Sequence, residues 1–208
     1  MNDEKKIVIA SGNKDKILEI KLALARLPAE LTGLDAWPNL PEAVEDGLTF
    51  AENAVKKAKH YQKLIGLPCL ADDSGLCVDA LDGAPGVYSA RFAAYRNGQF
   101  ADAAANCDDK SNNEKLVAEL KKLNLTSSAA KYVCVLALAY GDGKVIIATG
   151  ELNGEVRLTP RGSGGFGYDP YFYLPDGRTL AEISREEKNS FSHRGNALKA
   201  MAERLSEC

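Results

Sequence analysis

Apolar positions open the chain with a strand pattern and continue with a helix pattern. Residues 6–10 (KIVIA) form an apolar run behind one lysine, which predicts a buried strand. Residues 11–13 (SGN) interrupt that run with turn-forming side chains. From residue 15 to residue 26, apolar side chains recur every three or four positions, which predicts a helix. The chain therefore opens with a strand, a tight turn and a helix.

Three further helices are predicted, each from a polar cap in front of an apolar stripe. Residues 49–65 form one of them, and Thr49 with Glu52 forms a capping box at its start. A second capping box begins at Ser111 and precedes another apolar stripe. Ser192 is predicted to cap the last helix.

Short apolar runs and glycine turns predict the strands and one loop. Residues 68–71 form a short strand that ends where Asp-Asp-Ser-Gly (72–75) begins. Residues 131–140 and 144–151 are strands joined by Gly-Asp-Gly, which predicts a hairpin. Residues 161–169 form a glycine-rich loop. Because strands and helices alternate early and a hairpin lies in the middle, we expect a mixed α/β fold with an antiparallel portion.

The domain organisation follows from length and from the absence of any repeat or low-complexity linker in the sequence. A chain of 208 residues fits one large domain or two intimate lobes, so residues 1–208 are expected to form a single domain whose two lobes are not separable in the sequence. Residues 97–113 are polar and acidic. We expect that stretch to be mobile or to connect two lobes.

Charge and hydropathy exclude two classes of partner. The net charge of −3 makes binding of long nucleic acid a poor expectation, whereas a small anion needs only a few local cations. The longest apolar run, residues 132–140, is too short to span a bilayer. The N-terminus has the pattern of neither a signal peptide nor a transit peptide, so we expect a cytoplasmic protein.

The five cysteines are scattered and form no CxxC pair. That pattern argues against a disulfide framework and against a structural zinc site. Cys69 and Cys134 lie in apolar runs and are predicted to be small buried hydrophobes.

The first candidate for chemistry is the turn between the opening strand and helix, residues 11–16 (SGNKDK). Free backbone N–H groups and the helix dipole favour a phosphate there, and Lys16 lies within reach of the same anion. The pattern lacks the GxxxxGK[ST] arrangement of a Walker A loop. An ordinary turn with solvated lysines accounts for the same residues.

Two acidic stretches are candidates for metal binding. Asp72 and Asp73 follow an apolar strand, and in extended chain only one of them should dominate a site. That carboxylate can hold magnesium or accept a proton from an attacking water. Glu42 or Glu45, in the acidic loop 41–46, can complete the metal site. A polar turn and a solvated loop are the alternatives.

Two later segments carry groups that suit a nucleobase. In the loop 161–170, four glycines allow close approach, Phe166 and Tyr168 offer faces for stacking, and Asp169 accepts hydrogen bonds. Behind Ser192, His193 and Arg194 are predicted at the open start of a helix. Two donors there suit the 6-oxo group of hypoxanthine or xanthine. A glycine-rich hairpin loop and a surface helix start are the alternatives.

Taken together and in this order, these motifs resemble the Ham1/inosine triphosphate pyrophosphatase family, whose bacterial members are called dITP/XTP pyrophosphatases. The segments that carry the resemblance run through nearly the whole chain. They are SGNKDK (11–16), GLTFAENA (47–54), ADDSGL (71–76), GAPGVYSARF (83–92), GGFGYDP (164–170), AEISREEKN (181–189) and SHRG (192–195).

The resemblance implies a role for individual residues. Asp73 is implied as proton acceptor and magnesium ligand, with Glu45 preferred over Glu42 as the further metal ligand. The residues implied in triphosphate and nucleotide binding are Ser11, Gly12, Asn13, Lys14, Asp15, Lys16, Ser74, Phe166, Gly167, Tyr168, Asp169, Lys188, His193 and Arg194, with Arg91 and Ser89 near the phosphates.

The resemblance also implies an activity and an architecture. The activity is Mg²⁺-assisted hydrolysis of non-canonical purine nucleoside triphosphates to monophosphate and pyrophosphate. The architecture is an elongated, two-lobed mixed α/β fold with a central mixed sheet, a cleft between the lobes and a homodimeric assembly. A Maf-like pyrophosphatase for modified pyrimidine triphosphates and a non-catalytic nucleotide-binding module are the alternatives.

Overall fold

The structure is a computed structural model that describes residues 6–25, 29–96, 99–100 and 106–206. Among these residues the α-helices are α1 (Lys14–Ala23), α2 (Phe50–Ile65), α3 (Asp109–Lys122), α4 (Arg185–Phe191) and α5 (His193–Ser206). The strands are β1 (Lys6–Ile9), β2 (Glu30–Gly33), β3 (Cys69–Val78), β4 (Tyr95–Arg96), β5 (Gln99–Phe100), β6 (Ser127–Ala139), β7 (Val145–Arg157) and β8 (Phe172–Tyr173). No helix in the described ranges is long and apolar enough to cross a membrane.

The main sheet is mixed, with strand order β2-β1-β3-β6-β7-β8. β1 pairs in parallel with β2 and with β3, whereas β7 pairs antiparallel with β8. β6 and β7 form the predicted hairpin, closed where the backbone N–H of Tyr140 donates to Lys144 O at 2.9 Å. The expected mixed α/β class with an antiparallel portion is confirmed.

The described chain divides into two compact units. Unit 1 comprises Met1–Asp73, Cys134–Gly150 and Ser192–Cys208, and unit 2 comprises Ser74–Val133 and Glu151–Phe191. Three strands, β3, β6 and β7, supply residues to both units. The described parts of the stretch 97–113, residues 99–100 and 106–113, belong to unit 2 and do not connect it to unit 1, and residues 97–98 and 101–105 lie outside the described residues.

The core of unit 1 packs α1 and α5 against strands β1, β3, β6 and β7. Cys69 and Cys134 are fully buried, as predicted, and burial raises the pKa of each thiol to about 12. A Cβ at Gly150 would lie 2.2 Å from both Ala197 N and His193 O, because the α5 backbone lies directly on β7. Glycine is therefore the residue that lets this helix approach its strand.

The core of unit 2 packs α3 against the parts of β3, β6 and β7 that belong to that unit. Its buried apolar residues are Leu76, Val78, Phe92, Leu116, Leu120, Ala130, Tyr132, Val156, Tyr168, Phe172, Leu174 and Leu180. The rings of Tyr132 and Phe172 meet with centroids 4.8 Å apart. This core supports the glycine-rich loop, since Tyr168 is one of its members.

Helix caps agree with the sequence patterns at two helices and differ at one. Thr49 accepts from Glu52 N at 3.1 Å, and Ser192 accepts from Gly195 N at 3.0 Å. The prediction of Ser111 as a cap is wrong: Asp108 caps α3 and accepts from Ser111 N at 2.6 Å. Aspartate is a strong N-cap, so the helix starts earlier and Ser111 falls inside its first turn.

Several boundaries differ from the predicted ones, and one difference matters for function. The strand predicted over residues 68–71 runs to Val78, so Asp72 and Asp73 lie inside β3 and not behind its end. A buried strand accepts two acids only where partners compensate their charge. The opening helix is shorter than predicted and ends at Ala23, whereas both hairpin strands are longer.

Candidate active site

Asp72 is the centre of a buried group of charges in unit 1, which we call the Asp72 cluster (Lys16, Glu19, Asp72 and Arg194). Its carboxylate is 2% exposed and lies 2.9 Å from Lys16 Nζ and 3.3 Å from Arg194 Nη2. Arg194 donates to Glu19 through its other terminal nitrogen. The start of α1, the start of α5 and the middle of β3 are therefore tied together by charge.

The cations around Asp72 favour the ionised form of its carboxyl. Burial by itself would raise the pKa of this carboxyl, but Lys16, Arg194 and Lys57 outweigh burial and hold the pKa well below its usual range. A carboxylate that stays ionised among cations suits the orientation of those cations better than proton transfer.

The neighbouring carboxylate, Asp73, has the opposite character. It is 8% exposed, and burial raises its pKa to about 6, with Glu45 adding to the rise. Lys57, a hydrogen bond from Asn53 and Lys16 partly offset that rise. Asp73 therefore takes up a proton more readily than an exposed aspartate does, as a general base requires.

Lys57, on α2, is a member of this site that the sequence reasoning missed. Its Nζ lies 2.8 Å from Glu45 Oε2 and donates to Asp72 O at 3.1 Å. Burial would lower the pKa of this ammonium, but Asp72, Glu45 and Asp73 raise it overall, so the lysine stays charged. A signal was present, because Lys57 follows Ala54 by three positions and precedes Tyr61 by four, on the apolar stripe.

The acidic loop that carries Glu45 is fastened to one face of α2. Three successive turns of the helix hold the loop, the middle turn through both Lys56 and Lys57, and His60 lies in the last of them. The pairs are Gly47 N to Asn53 Oδ1 (2.8 Å), Asp46 to Lys56 (2.6 Å), Glu45 to Lys57 (2.8 Å) and Pro41 O to His60 Nε2 (2.8 Å). Glu45 is thereby placed, whereas Glu42 is exposed.

The turn before α1 is ordered by its own side chains. Asn13 precedes the helix, and its Oδ1 accepts from Lys16 N at 3.2 Å, while Ser11 Oγ accepts from Asn13 N at 3.2 Å. Gly12 is exposed, and the space beside its Cα is open. The side chains of Lys14 and Asp15 lie outside the described part of the structure.

A second charged pair, in unit 2, lies beside an aromatic ring. Lys188 and Asp169 are both buried, and Lys188 Nζ lies 2.6 Å from Asp169 Oδ2. The same oxygen accepts from Phe166 N at 3.0 Å, and Lys188 Nζ lies 4.8 Å from the centroid of the Phe166 ring. Three of the sequence-predicted residues are therefore in direct contact.

Tyr168 differs from its predicted role as a stacking face. It is 4% exposed, packs in the core of unit 2, and donates from its hydroxyl to Ser89 O at 2.7 Å. Little of its ring is left for a base to stack on, whereas Phe166 is half-buried. Tyr168 serves to anchor the loop, and Phe166 is the ring available for stacking.

The remaining predicted residues of unit 2 lie on β3 and in the 3₁₀ helix Gly86–Ala94. Ser89 Oγ accepts from Leu76 N at 2.9 Å and donates to Gly86 O at 2.7 Å, so this hydroxyl is used in the fold. The Arg91 guanidinium lies 5.6 Å from the Tyr88 ring centroid. Ser74 is half-buried in β3.

His193 and Arg194 do not lie at an open helix start, and that expectation is wrong. Both are buried, and Arg194 already forms ion pairs with Glu19 and Asp72. The reason lies in α5, whose first turn is packed on β7 at Gly150. Arg194 is thus part of the Asp72 cluster.

The carboxylates Glu45 and Asp73 fit a hard divalent cation. Glu45 raises the pKa of Asp73 by charge repulsion, and a bound cation would relieve that repulsion. Across the described residues no three His, Cys, Asp or Glu side chains form a metal-ligating group. A two-carboxylate set matches magnesium, which takes one or two protein carboxylates and completes its shell with water and phosphate.

Known proteins resemble the chain over almost its full length. The family model described as the Ham1 family matches residues 7–204. A dITP/XTP pyrophosphatase of Ralstonia nicotianae is 49% identical over 208 residues, covering 97% of this chain and 96% of that protein. One of Geobacter sulfurreducens is 46% identical over 201 residues, covering 96% of each. The structure of a HAM1 protein from Coxiella burnetii gives a TM-score of 0.86 at 39% identity and covers 98% of this chain and 99% of that one.

Proposed function

The chain belongs to the Ham1 family, and on that premise we propose that it hydrolyses non-canonical purine nucleoside triphosphates. The substrates are ITP, dITP and XTP, and the products are the nucleoside monophosphate and pyrophosphate. The printed names of the relatives support this class of reaction. The observation that carries the proposal is the buried Asp73 carboxylate with its raised pKa, placed beside Lys57 and Glu45.

We assign the reaction to groups of unit 1. Asp73 accepts a proton from a water molecule whose oxygen attacks the α-phosphorus. The bond between the α-phosphorus and the bridging oxygen breaks, and pyrophosphate leaves with the electron pair. Lys16 and Lys57 stabilise the negative charge that develops.

Glu45 and Asp73 are the residues that would hold magnesium. When bound, magnesium would neutralise phosphate charge and position the triphosphate. Asp72 has a different part, since it holds Lys16 and Arg194 in place through ion pairs at 2.9 and 3.3 Å.

We assign base recognition to groups of unit 2. Phe166 offers a half-buried ring for stacking, and the Asp169–Lys188 pair offers one acceptor and one donor beside it. A purine with a 6-oxo group and a protonated N1 presents the complementary acceptor and donor. The reaction is assigned from contacts within unit 1, and base recognition is assigned from contacts within unit 2.

A nucleotide panel with product analysis tests the proposal. ITP, dITP, XTP, the standard triphosphates and modified pyrimidine triphosphates are compared for turnover, and pyrophosphate is distinguished from orthophosphate. We expect turnover of the 6-oxo purines, release of pyrophosphate and dependence on a divalent cation. Preference for modified pyrimidines would favour a Maf-like enzyme, and binding without turnover would favour a nucleotide-binding module.

Three finer expectations belong to the same proposal. We propose Mg²⁺ as the physiological metal, a homodimer as the assembly and the cytoplasm as the location. Turnover with Mg²⁺ compared with Mn²⁺ and Ca²⁺, light scattering for molar mass and cell fractionation measure the three.

A further inference from the structure

Two side chains at the N-terminal end of α3 hold the loop of residues 164–169, which we call the Gly167 loop. Asp109 Oδ2 accepts from Gly167 N at 2.6 Å, and Asn113 Nδ2 donates to Gly167 O at 2.9 Å. The two side chains are four positions apart and so lie on one face of the helix. Both backbone polar groups of a single loop residue are therefore held by one helix.

The residue held by α3 is one of two in this loop with left-handed backbone, the other being Gly165. Gly167 has φ +63°, in the left-handed region, between Phe166 and Tyr168. Tyr168 is fixed independently through its hydroxyl on Ser89 O. Holding Gly167 therefore sets the direction of the Phe166 ring and of the Asp169 carboxylate that pairs with Lys188.

Asn113 is suited to a fixed orientation because it is 7% exposed. Its Nδ2 is committed to Gly167 O, and its Oδ1 is buried without a hydrogen-bond partner among the residues the structure describes. An unsatisfied buried acceptor is a cost that an apolar residue would avoid. The amide is explained if the donor to Gly167 is what the position requires.

We propose that Asp109 and Asn113 are positioning residues for base recognition, which act through the Gly167 loop without touching substrate. This rests on the proposed function, in which Phe166, Asp169 and Lys188 hold the base. Pre-ordering the loop removes an entropy cost that binding would otherwise carry. The grip should therefore affect the base-containing part of the substrate more than its phosphates.

The test compares Asn113→Asp with wild type. The substitution keeps the shape, removes the donor and sets an oxygen against Gly167 O. We expect the KM for ITP to rise about tenfold, because a loop that has lost this buried hydrogen bond must be ordered when the base binds, at a cost of roughly that factor. We expect kcat to stay within about threefold, since the groups of unit 1 are untouched. Binding of IMP should weaken as KM does, whereas binding of inorganic tripolyphosphate should not change.

Asp109 supplies a second, exposed position at which folding is not at risk. Asp109→Ala should raise the KM for ITP, and Asp109→Asn, which keeps an acceptor for Gly167 N, should restore it. Glu114→Gln is the matched control, because its exposed side chain on the same helix contacts only Lys110 among the ion pairs described. We expect that control to behave as wild type.

The outcomes distinguish failure of the positioning role from failure of the proposed function. A wild-type enzyme that turns over ITP, with Asn113→Asp and Asp109→Ala unchanged in KM, overturns the positioning role alone. Equal weakening of IMP binding and of tripolyphosphate binding also overturns it, because the substitution would then loosen the protein in general and not act on base recognition. Absence of turnover in wild type overturns the proposed function itself.

Discussion

Asp72 and Asp73 are adjacent in sequence, yet their surroundings give them opposite chemistry. Three cations outweigh burial at Asp72 and keep it ionised, whereas burial dominates at Asp73. Lys16 and Lys57 act on the pKa of both carboxyls, but Arg194 pairs with Asp72 at 3.3 Å and lowers that pKa further. The difference supports the proposed roles, in which Asp72 holds cations and Asp73 accepts the proton.

Replacing Asp73 separates catalysis from binding. Asp73→Asn keeps the size of the side chain and removes the proton acceptor, so we expect turnover of ITP to fall by about 10²–10⁴-fold. Binding of ITP, measured by calorimetry in the presence of a divalent cation, should weaken far less. Near-normal turnover would exclude Asp73 as the base.

Asp72→Asn is the matched comparison on the same strand. It leaves Lys16 and Arg194 without their shared carboxylate, so we expect a loss of about 3–5 kcal/mol in the free energy of unfolding. Chemical denaturation measures this loss. A fully stable variant would contradict the structural role of Asp72.

At the scale of elements, α2 and the loop in front of it work as one part. Residues on three successive turns of α2 hold Pro41, Glu45, Asp46 and Gly47 by hydrogen bonds or ion pairs. At Gly47 there is no room for a side chain, because a Cβ there would lie 2.7 Å from Asn53 Oδ1 and 2.8 Å from Glu52 Cβ. The position of Glu45 therefore depends on a residue that carries no functional group.

Gly47→Ala tests this dependence. The added methyl group pushes the loop away from α2 and displaces Glu45, so we expect the concentration of Mg²⁺ needed for half-maximal turnover to rise about tenfold. Turnover at saturating Mg²⁺ should largely recover. Gly141→Ala, whose Cβ would meet only Gln62 Nε2 at 3.4 Å, serves as the control in unit 1. An unchanged Mg²⁺ dependence would show that Glu45 is not a metal ligand.

Sequence patterns predicted which helices and strands exist more readily than where they begin and end. Apolar periodicity and caps predicted the opening strand and helix, α2, the hairpin and α5, because those signals are local. The continuation of β3 through two acids was not predictable, since the cations that make it possible come from α1, α2 and α5. The buried state of Arg194 was not predictable for the same reason, whereas Lys57 carried a local signal through its place on the apolar stripe of α2.

At the scale of the whole molecule, the chain passes between the two units repeatedly. β3, β6 and β7 each end in a different unit from the one in which they begin. Gly150 lies on β7 as the last residue of its segment in unit 1, in contact with α5. A strand shared in this way is expected to couple the unfolding of both units.

Gly150→Ala tests the coupling. The added Cβ meets the α5 backbone at 2.2 Å, so we expect a loss of about 1–3 kcal/mol and a melting temperature lowered by several degrees. The fluorescence of Trp37, the single tryptophan, follows unit 1, and reaction of the Cys77 and Cys107 thiols follows unit 2. Both signals should shift together. A shift in the Trp37 signal alone would show that the units unfold separately.

The placement of Asp73 within a long interior strand has a consequence for how this protein can diverge. Adding or deleting one residue in β3 would reverse the facing of every side chain beyond that point. We therefore expect that β3 around Asp73 does not tolerate insertions or deletions. If the Gly167 loop holds the base as proposed, point substitutions in that loop and in the first residues of α3 are the changes open to a shift in base selectivity.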